Sequence, residues 1–239
     1  ISGEFFLQIS EGEQNYNIHQ WLEAEGAEVY PAAISIWLDY LLRLAEQDAE
    51  DHIGVSRKAP LDLVNARLTQ MMLRRTYSRM RRALGDLPHE LIDQYELRRL
   101  AAPYFHSRMN GGEGDMLIGK ALWVYHHKKA HMICELSPYS CMPNTMSVGA
   151  MAAVLGRYPD LLYAPLEIKG DAEVHALSRC QMVLTEASAI FANAVCSSAA
   201  LFLQYASRMK KKAAPVRAIG KCTNIGGGGC SSVRAWMMR

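Results

Sequence analysis

No apolar run in the sequence approaches the roughly 20 residues that a membrane-spanning helix needs, which excludes a helical membrane span. The first residues, Ile1-Ser2-Gly3-Glu4, show neither the basic start nor the cleavage pattern of a signal peptide. Six cysteines in 239 residues do not make a disulfide framework. A reduced, cytoplasmic protein is therefore expected, with a metal or cluster role open to some of its thiols. Neither GxGxxG nor the complete GxxxxGK[ST] sequence occurs. His131, Cys134 and Cys141 stand at a spacing that matches no common structural zinc pattern. Acids are missing from one segment altogether. Ser207–Arg239 carries eight Lys/Arg and no Asp or Glu, so the residues before it hold 18 basic and 24 acidic side chains, a net of −6.

What is present is organised around Ala130 to Thr145. Ala130–Leu136 is short and mostly apolar, as a central parallel strand should be. Ser137-Pro138 stops it, because proline cannot donate to a sheet ladder. Pro143 suits the first turn of a helix that continues through Leu155. Cys141 falls in the turn between strand and helix. A helix start favours the thiolate, the form that binds metals or attacks electrophiles.

Before this stretch the pattern is β-α-β-α. Ile1–Gln8 reads as the end of a strand that starts abruptly, so the first strand is expected to begin upstream, in a chain that is a fragment or an excised domain. Tyr16–Glu25 is an amphipathic helix ended by Gly26, Ala27–Tyr30 a second short strand, and Ala33–Leu44 a helix. After it, Asp160–Glu167 gives a last strand, and a helix begins near Ala172. The expected fold is α/β: a Rossmann-like parallel sheet of about four strands flanked by helices, forming one domain over residues 1–206. A helical insertion of about residues 46–108 interrupts it, with one helix from Leu61 to about Leu84 and a second from near Pro88 to about Ala101. Residues 207–239, with four consecutive glycines between Cys222 and Cys230, read as a flexible basic tail. The run Arg74-Arg75-Thr76-Tyr77-Ser78-Arg79-Met80-Arg81-Arg82 lies on the first insertion helix and reads as a solvated face, with no nucleic-acid motif beside it.

In open parallel sheets, ligands bind beyond the carboxyl ends of the strands. That edge would gather Tyr30-Pro31, Ser137 to Cys141, Glu167 to Asp171 and, given a first strand upstream, Gly3-Glu4. The glycine-rich turn Asn110–Gly114 precedes a helix whose amides could hold an anion, with a plain loop as the other reading. Cys134 in mid-strand and Cys180 on an apolar helical stripe read as packing residues. A thiolate at Cys141 is open to three roles: a cluster ligand, a nucleophile working with His131 or another histidine, or no role at all.

Several stretches carry a family likeness. They are Gly3–Gln8, Trp21–Val29, Gly112-Glu113-Gly114, Cys134–Pro143 and Glu167–Glu173. In this order they resemble the iron–sulfur component of 2-hydroxyacyl-CoA dehydratases and benzoyl-CoA reductases. The likeness is greatest to large fused CoA-substrate-specific activases, the 2-hydroxyglutaryl-CoA dehydratase activators, and covers about Ile1 to Ala187. The resemblance implies stacked Rossmann-like domains and a [4Fe-4S] or double-cubane cluster. It also implies low-potential electrons supplied by an ATP-hydrolysing module, and an acyl-CoA substrate. Cys141 is the position carried over as metal ligand, with Ser137, Glu4 and Gly114 as further cofactor-binding candidates. A cubane needs about four ligands, and relatives draw others from a preceding cysteine-bearing α/β domain that this sequence lacks, along with the ATPase module. The cluster is therefore expected to be incomplete or absent in this chain alone. Its expected partners are other domains of one polypeptide, or a second copy in a homodimer, and not nucleic acid or membrane. The competing expectation is a structural or interaction domain without chemistry of its own.

Overall fold

The computed structural model describes residues 1–212 apart from 11, 110 and 111, with side chains as far as residue 193. The predicted tail at 207–239, with Cys222 and Cys230, falls almost wholly outside the described residues. The chain divides into two units, Ile1–Asn193 and Ala194–Arg239. The first is a parallel sheet of three strands in the order β1 (Ser2–Gly3), β2 (Met132–Pro138), β3 (Leu162–Ile168). Helices flank it: α1 (Phe5–Ile9), α2 (Ile18–Ala24), α3 (Ile34–Asp51), α4 (Ala59–Ala83), α5 (Gln94–Ala101), α6 (Gly114–His126), α7 (Met142–Arg157) and α8 (Glu173–Lys212). This is the α/β, Rossmann-like class with helical insertions.

Strand β2 is central and covered on both sides. Its alternation sends Cys134 and Leu136, with Ala164 and Leu166 of β3, against Leu7, Ile18, Leu22, Cys180 and Leu184 of α1, α2 and α8. Ile133 points the other way, into a core with Ile118 and Leu122 of α6 and Met151 and Val154 of α7. Burial on two faces is why the strand reads as an apolar run with one exception, Glu135.

Three boundaries differ from the sequence reading. The ladder at the start of the chain covers two residues, because Glu4 leaves it to cap α1, its carboxylate accepting from the Leu7 amide at 2.9 Å. Ala27–Tyr30 forms no strand and does not join the sheet, so the described strands number three. A two-residue β1 offers it little edge to pair with. Helix α5 starts at Gln94, since Asp93 caps it through the Tyr95 amide at 3.3 Å.

The insertion is built on the α/β unit's own helix, because α3 runs on to Asp51 and α4 folds back along it. Arginines on α4 make the seam. Arg67 meets Glu46 at 2.7 Å, and Arg74 meets Asp39 at 2.9 Å, the latter carboxylate fully buried. Arg81 donates to the Pro88 carbonyl at 2.7 Å. Arg75, Arg79 and Arg82 are exposed. The basic run is thus an inward set of ion-pairing arginines alternating with an outward, solvated set.

Candidate functional site at the carboxyl edge of the sheet

Parallel pairing brings the ends of the three strands to one edge. Gly3 is level with Leu136, and Ser137 with Glu167. Glu4 follows β1 directly, its amide donating to the Leu136 carbonyl at 2.9 Å, so it lies beside Ser137. The chain then turns sharply. The Tyr139 amide bonds to the Ile168 carbonyl, the Cys141 amide bonds to the Pro138 carbonyl, and Ser140 sits at φ +58°. Cys141 becomes the N-cap of α7, with an extended backbone and no hydrogen bond from its side chain to the helix. Its thiol is half-buried at the edge and is not used as a cap.

The glycine-rich turn closes against the same helix. A Cβ on Gly112, at φ +67°, would lie 2.4 Å from the Pro143 side chain, so only glycine lets the two approach. Tyr40 on α3 fixes the turn by donating to the Gly112 carbonyl at 2.6 Å. Gly114 is buried behind it against Phe105. Glu113 lies between, its carboxyl pushed up first by burial and then by the field of Glu4. The structure thus gathers Glu4, Glu113, Ser137 and Cys141 at one edge and puts Gly114 beneath it. Gly114, Gly119 and Lys120 have the spacing of a phosphate loop, but Ala121 stands where Ser or Thr is needed and the whole stretch is helix, so it forms no such loop.

His127 and His131 lie elsewhere. His131 precedes β2 and Cys141 follows it, so about 20 Å of strand separates them. The Cys141–His131 nucleophile pair is thereby ruled out. His127 stacks on Trp123 and His131 contacts the edge of Phe191. Cys134 and Cys180 are core residues, at 4% and 0% exposure. Among the described residues no three metal-ligating side chains come together.

Sequence reasoning missed the polar group beneath the edge. Glu135, 1% exposed, accepts from Ser147 at 2.5 Å, Tyr163 at 2.8 Å and Asn144 at 3.4 Å. Burial pushes its carboxyl up. Lys120 of α6, 5% exposed, lies in the field of Glu135 and Glu113. Lys120 and Gln8 border a cavity of about 10 Å³, the space of one water. Ser2 Oγ, Gln8 Oε1 and Asn144 Oδ1 are buried without partners. The signal was one acid in β2 and one base in the middle of α6, each flanked by apolar residues. Chemically, the group holds a proton-exchanging amine and carboxyl under the rim.

That amine sets a pH dependence. Burial lowers the Lys120 ammonium to about 8, whereas an unfolded lysine titrates near ~10.4. Between those values the unfolded chain binds more protons, so stability rises with pH. The expected gain from about pH 7 to about pH 9.5 is ~2 kcal/mol. Glu135, raised, gives the opposite slope at lower pH. Above about pH 10 Tyr40 and Tyr163, held protonated chiefly by burial, favour the unfolded chain as they titrate. Urea unfolding at the two pH values measures the gain, and Lys120→Met should remove the ~2 kcal/mol owed to Lys120, leaving the smaller rise that the buried Ile1 amine adds below about pH 8. A mutant with the same gain refutes the assignment to Lys120.

Compared with known proteins, the chain matches no family model, no curated protein and no solved structure.

Proposed function

We propose that this chain forms one wall of a composite iron–sulfur centre, with Cys141 as its metal ligand, in a cytoplasmic system that delivers ATP-dependent, low-potential electrons to an acyl-CoA substrate. The observation that carries the reading is the Cys141 thiol, held at the carboxyl edge by a tight turn and left free of capping. The family likeness around Cys134–Pro143 supports it. The described residues supply one thiol at that edge and no cluster of three ligands, fewer than the four a cubane takes. The remaining ligands belong to a cysteine-bearing domain, and the ATPase module to another part of the assembly. Elements leaving the same edge expose apolar side chains where such a domain would rest: Phe6 at 53% and Ile9 at 49% on α1, and Tyr139 at 63% and Met142 at 57% around Cys141. When bound, the cluster would supply one-electron transfer. This chain's own residues position one ligand and shield one side of the centre.

The same apolar rim favours the second reading, an interaction domain without chemistry. Among the described residues no helix is long and apolar enough to cross a membrane; the rim's apolar groups are read as a protein contact because exposed apolar patches mark interaction sites. Iron and sulfide analysis with EPR separates the two readings, on the polypeptide encoded by the full reading frame and expressed without oxygen. The cluster reading expects iron and an EPR signal in that protein, both lost in Cys141→Ala, and far less than stoichiometric iron in the 239-residue chain alone. A parent without iron, or a Cys141→Ala variant with its cluster intact, leaves only the interaction domain. Full iron occupancy in the short chain overturns the one-wall arrangement.

A further inference from the structure

We propose that Cys134 and Cys180 are an oxidative modification site, closing under peroxide to an intramolecular disulfide that ties the central strand to α8. The two residues are 46 apart in sequence, and their sulfurs are 3.6 Å apart. A disulfide brings the sulfurs to about 2.05 Å. Closing the remaining gap requires the two side chains to turn toward each other. Leu136, Ala164 and Leu184 wall the pair in. Cys141 is beyond the end of β2, at the rim, so neither thiol has another cysteine of Ile1–Asn193 as a competing partner.

The oxidant required is a small, uncharged one, because both thiols are buried, at 4% and 0% exposure; hydrogen peroxide meets this. The attacking sulfur is Cys134, whose thiol is pulled down by the hydrogen bond from Cys180 and is therefore the better thiolate. It attacks one peroxide oxygen, the O–O bond breaks, and a sulfenic acid and hydroxide form. Cys180 then attacks the sulfenyl sulfur, the S–O bond breaks, and water leaves with the thiol proton. Two thiols and one peroxide give one disulfide and two waters, and the two electrons lost by sulfur reduce the peroxide. The product fixes α8 to β2 through the core on the face opposite Glu135.

Peptide mapping of the folded 239-residue chain tests this, with wild-type protein treated with hydrogen peroxide, alkylated and digested. Trypsin followed by a glutamate-specific protease cuts after Glu135 and Glu186, which separates Cys134 from Cys141 and Cys180 from Cys196. The expected result is one linked pair, Ala130–Glu135 with Cys180–Glu186, lighter by two hydrogens than the separate thiol peptides and restored by dithiothreitol. It should be absent in Cys180→Ser. If Cys134 and Cys180 are still alkylated as free thiols once Cys141 is fully oxidised, the proposal fails. It fails equally if the link forms only after unfolding in urea, since the folded geometry would then not be its cause.

Discussion

Arg43→Met is expected to destabilise the fold by about 3–5 kcal/mol, the cost of leaving one member of a buried ion pair without its partner. Arg43 on α3 is 2% exposed, and its guanidinium meets the Asp115 carboxylate at 2.6 Å with both side chains almost wholly out of water. Its other contacts are weak or missing. Gln47 accepts at 3.5 Å, the Tyr40 ring lies 4.9 Å away, and Nε has no partner. The mutant's cost is therefore that of a buried Asp115 left without a cation, with only the Tyr40 hydroxyl beside it. A double variant, Arg43→Met with Asp115→Leu, removes both charges and should recover most of the loss. Urea unfolding of the two single variants and the double closes the cycle. A single-variant loss below about 1 kcal/mol would mean that water reaches the carboxylate in the fold. The pair also reaches the site. Asp115 is in the first turn of α6, and Tyr40, one turn from Arg43, holds the Gly112 carbonyl. Breaking the pair should speed hydrogen exchange at the amides of residues 112–117, next to Pro143 and Cys141.

The parts of this site that were legible in the sequence are those defined by neighbours along the chain. Strand β2, its proline stop, the Cys141 turn and α7 follow one another within 26 residues, and each is marked by local chemistry. So the position of Cys141 at a helix start could be read directly. Helix α6 was legible as a largely apolar helix, but a pattern read over many residues hides the isolated charges Asp115 and Lys120. Lys120 and Glu135 disappeared into apolar runs, although a charge in such a run implies a buried partner. The start of the chain misled for the opposite reason. Ile1–Gln8 has strand-like composition, yet Glu4 can accept the Leu7 amide, and one cap outweighs the weak preference of a short apolar run. Ala27–Tyr30 has the residues of a strand, but a strand exists only where another offers an edge. The pairing of Cys134 with Cys180 was invisible because each was assigned to packing separately; only the fold shows that both pack at the same place. The arginine run divided for a reason helical periodicity contains, since residues 67, 74 and 81 recur every seventh position and return to one side of α4. Reading the inward side would have required knowing that α3 lies against it.

Gly3→Ala should cost at least about 3 kcal/mol, because it combines a backbone conformation unfavourable to any side chain with a direct clash. Gly3 has φ +115°, and a Cβ there would fall 2.0 Å from the Leu136 carbonyl oxygen and 2.5 Å from the Leu136 nitrogen. These are backbone atoms of the central strand and cannot swing aside. The Glu4 amide bonds to that same carbonyl, and the Gln8 side chain bonds to the Gly3 carbonyl. Relief of the clash must therefore lift β1 from β2, break the Glu4 contact and carry the Glu4 carboxylate away from Ser137 and Cys141. A second glycine gives the control of opposite sign. Gly149 lies within α7 with nothing within 4 Å of where its Cβ would be, so Gly149→Ala should gain up to about 1 kcal/mol from helix propensity alone. Urea midpoints of the two variants measured side by side distinguish a clash from a general intolerance of alanine. If Gly3→Ala unfolds within about 1 kcal/mol of the parent, then β1 does not approach β2 as closely as this register requires, and Glu4 loses its place at the edge. If it is destabilised as expected while Gly149→Ala is not, the close pairing of Gly3 with Leu136 is what brings the Glu4 carboxylate to the Cys141 edge.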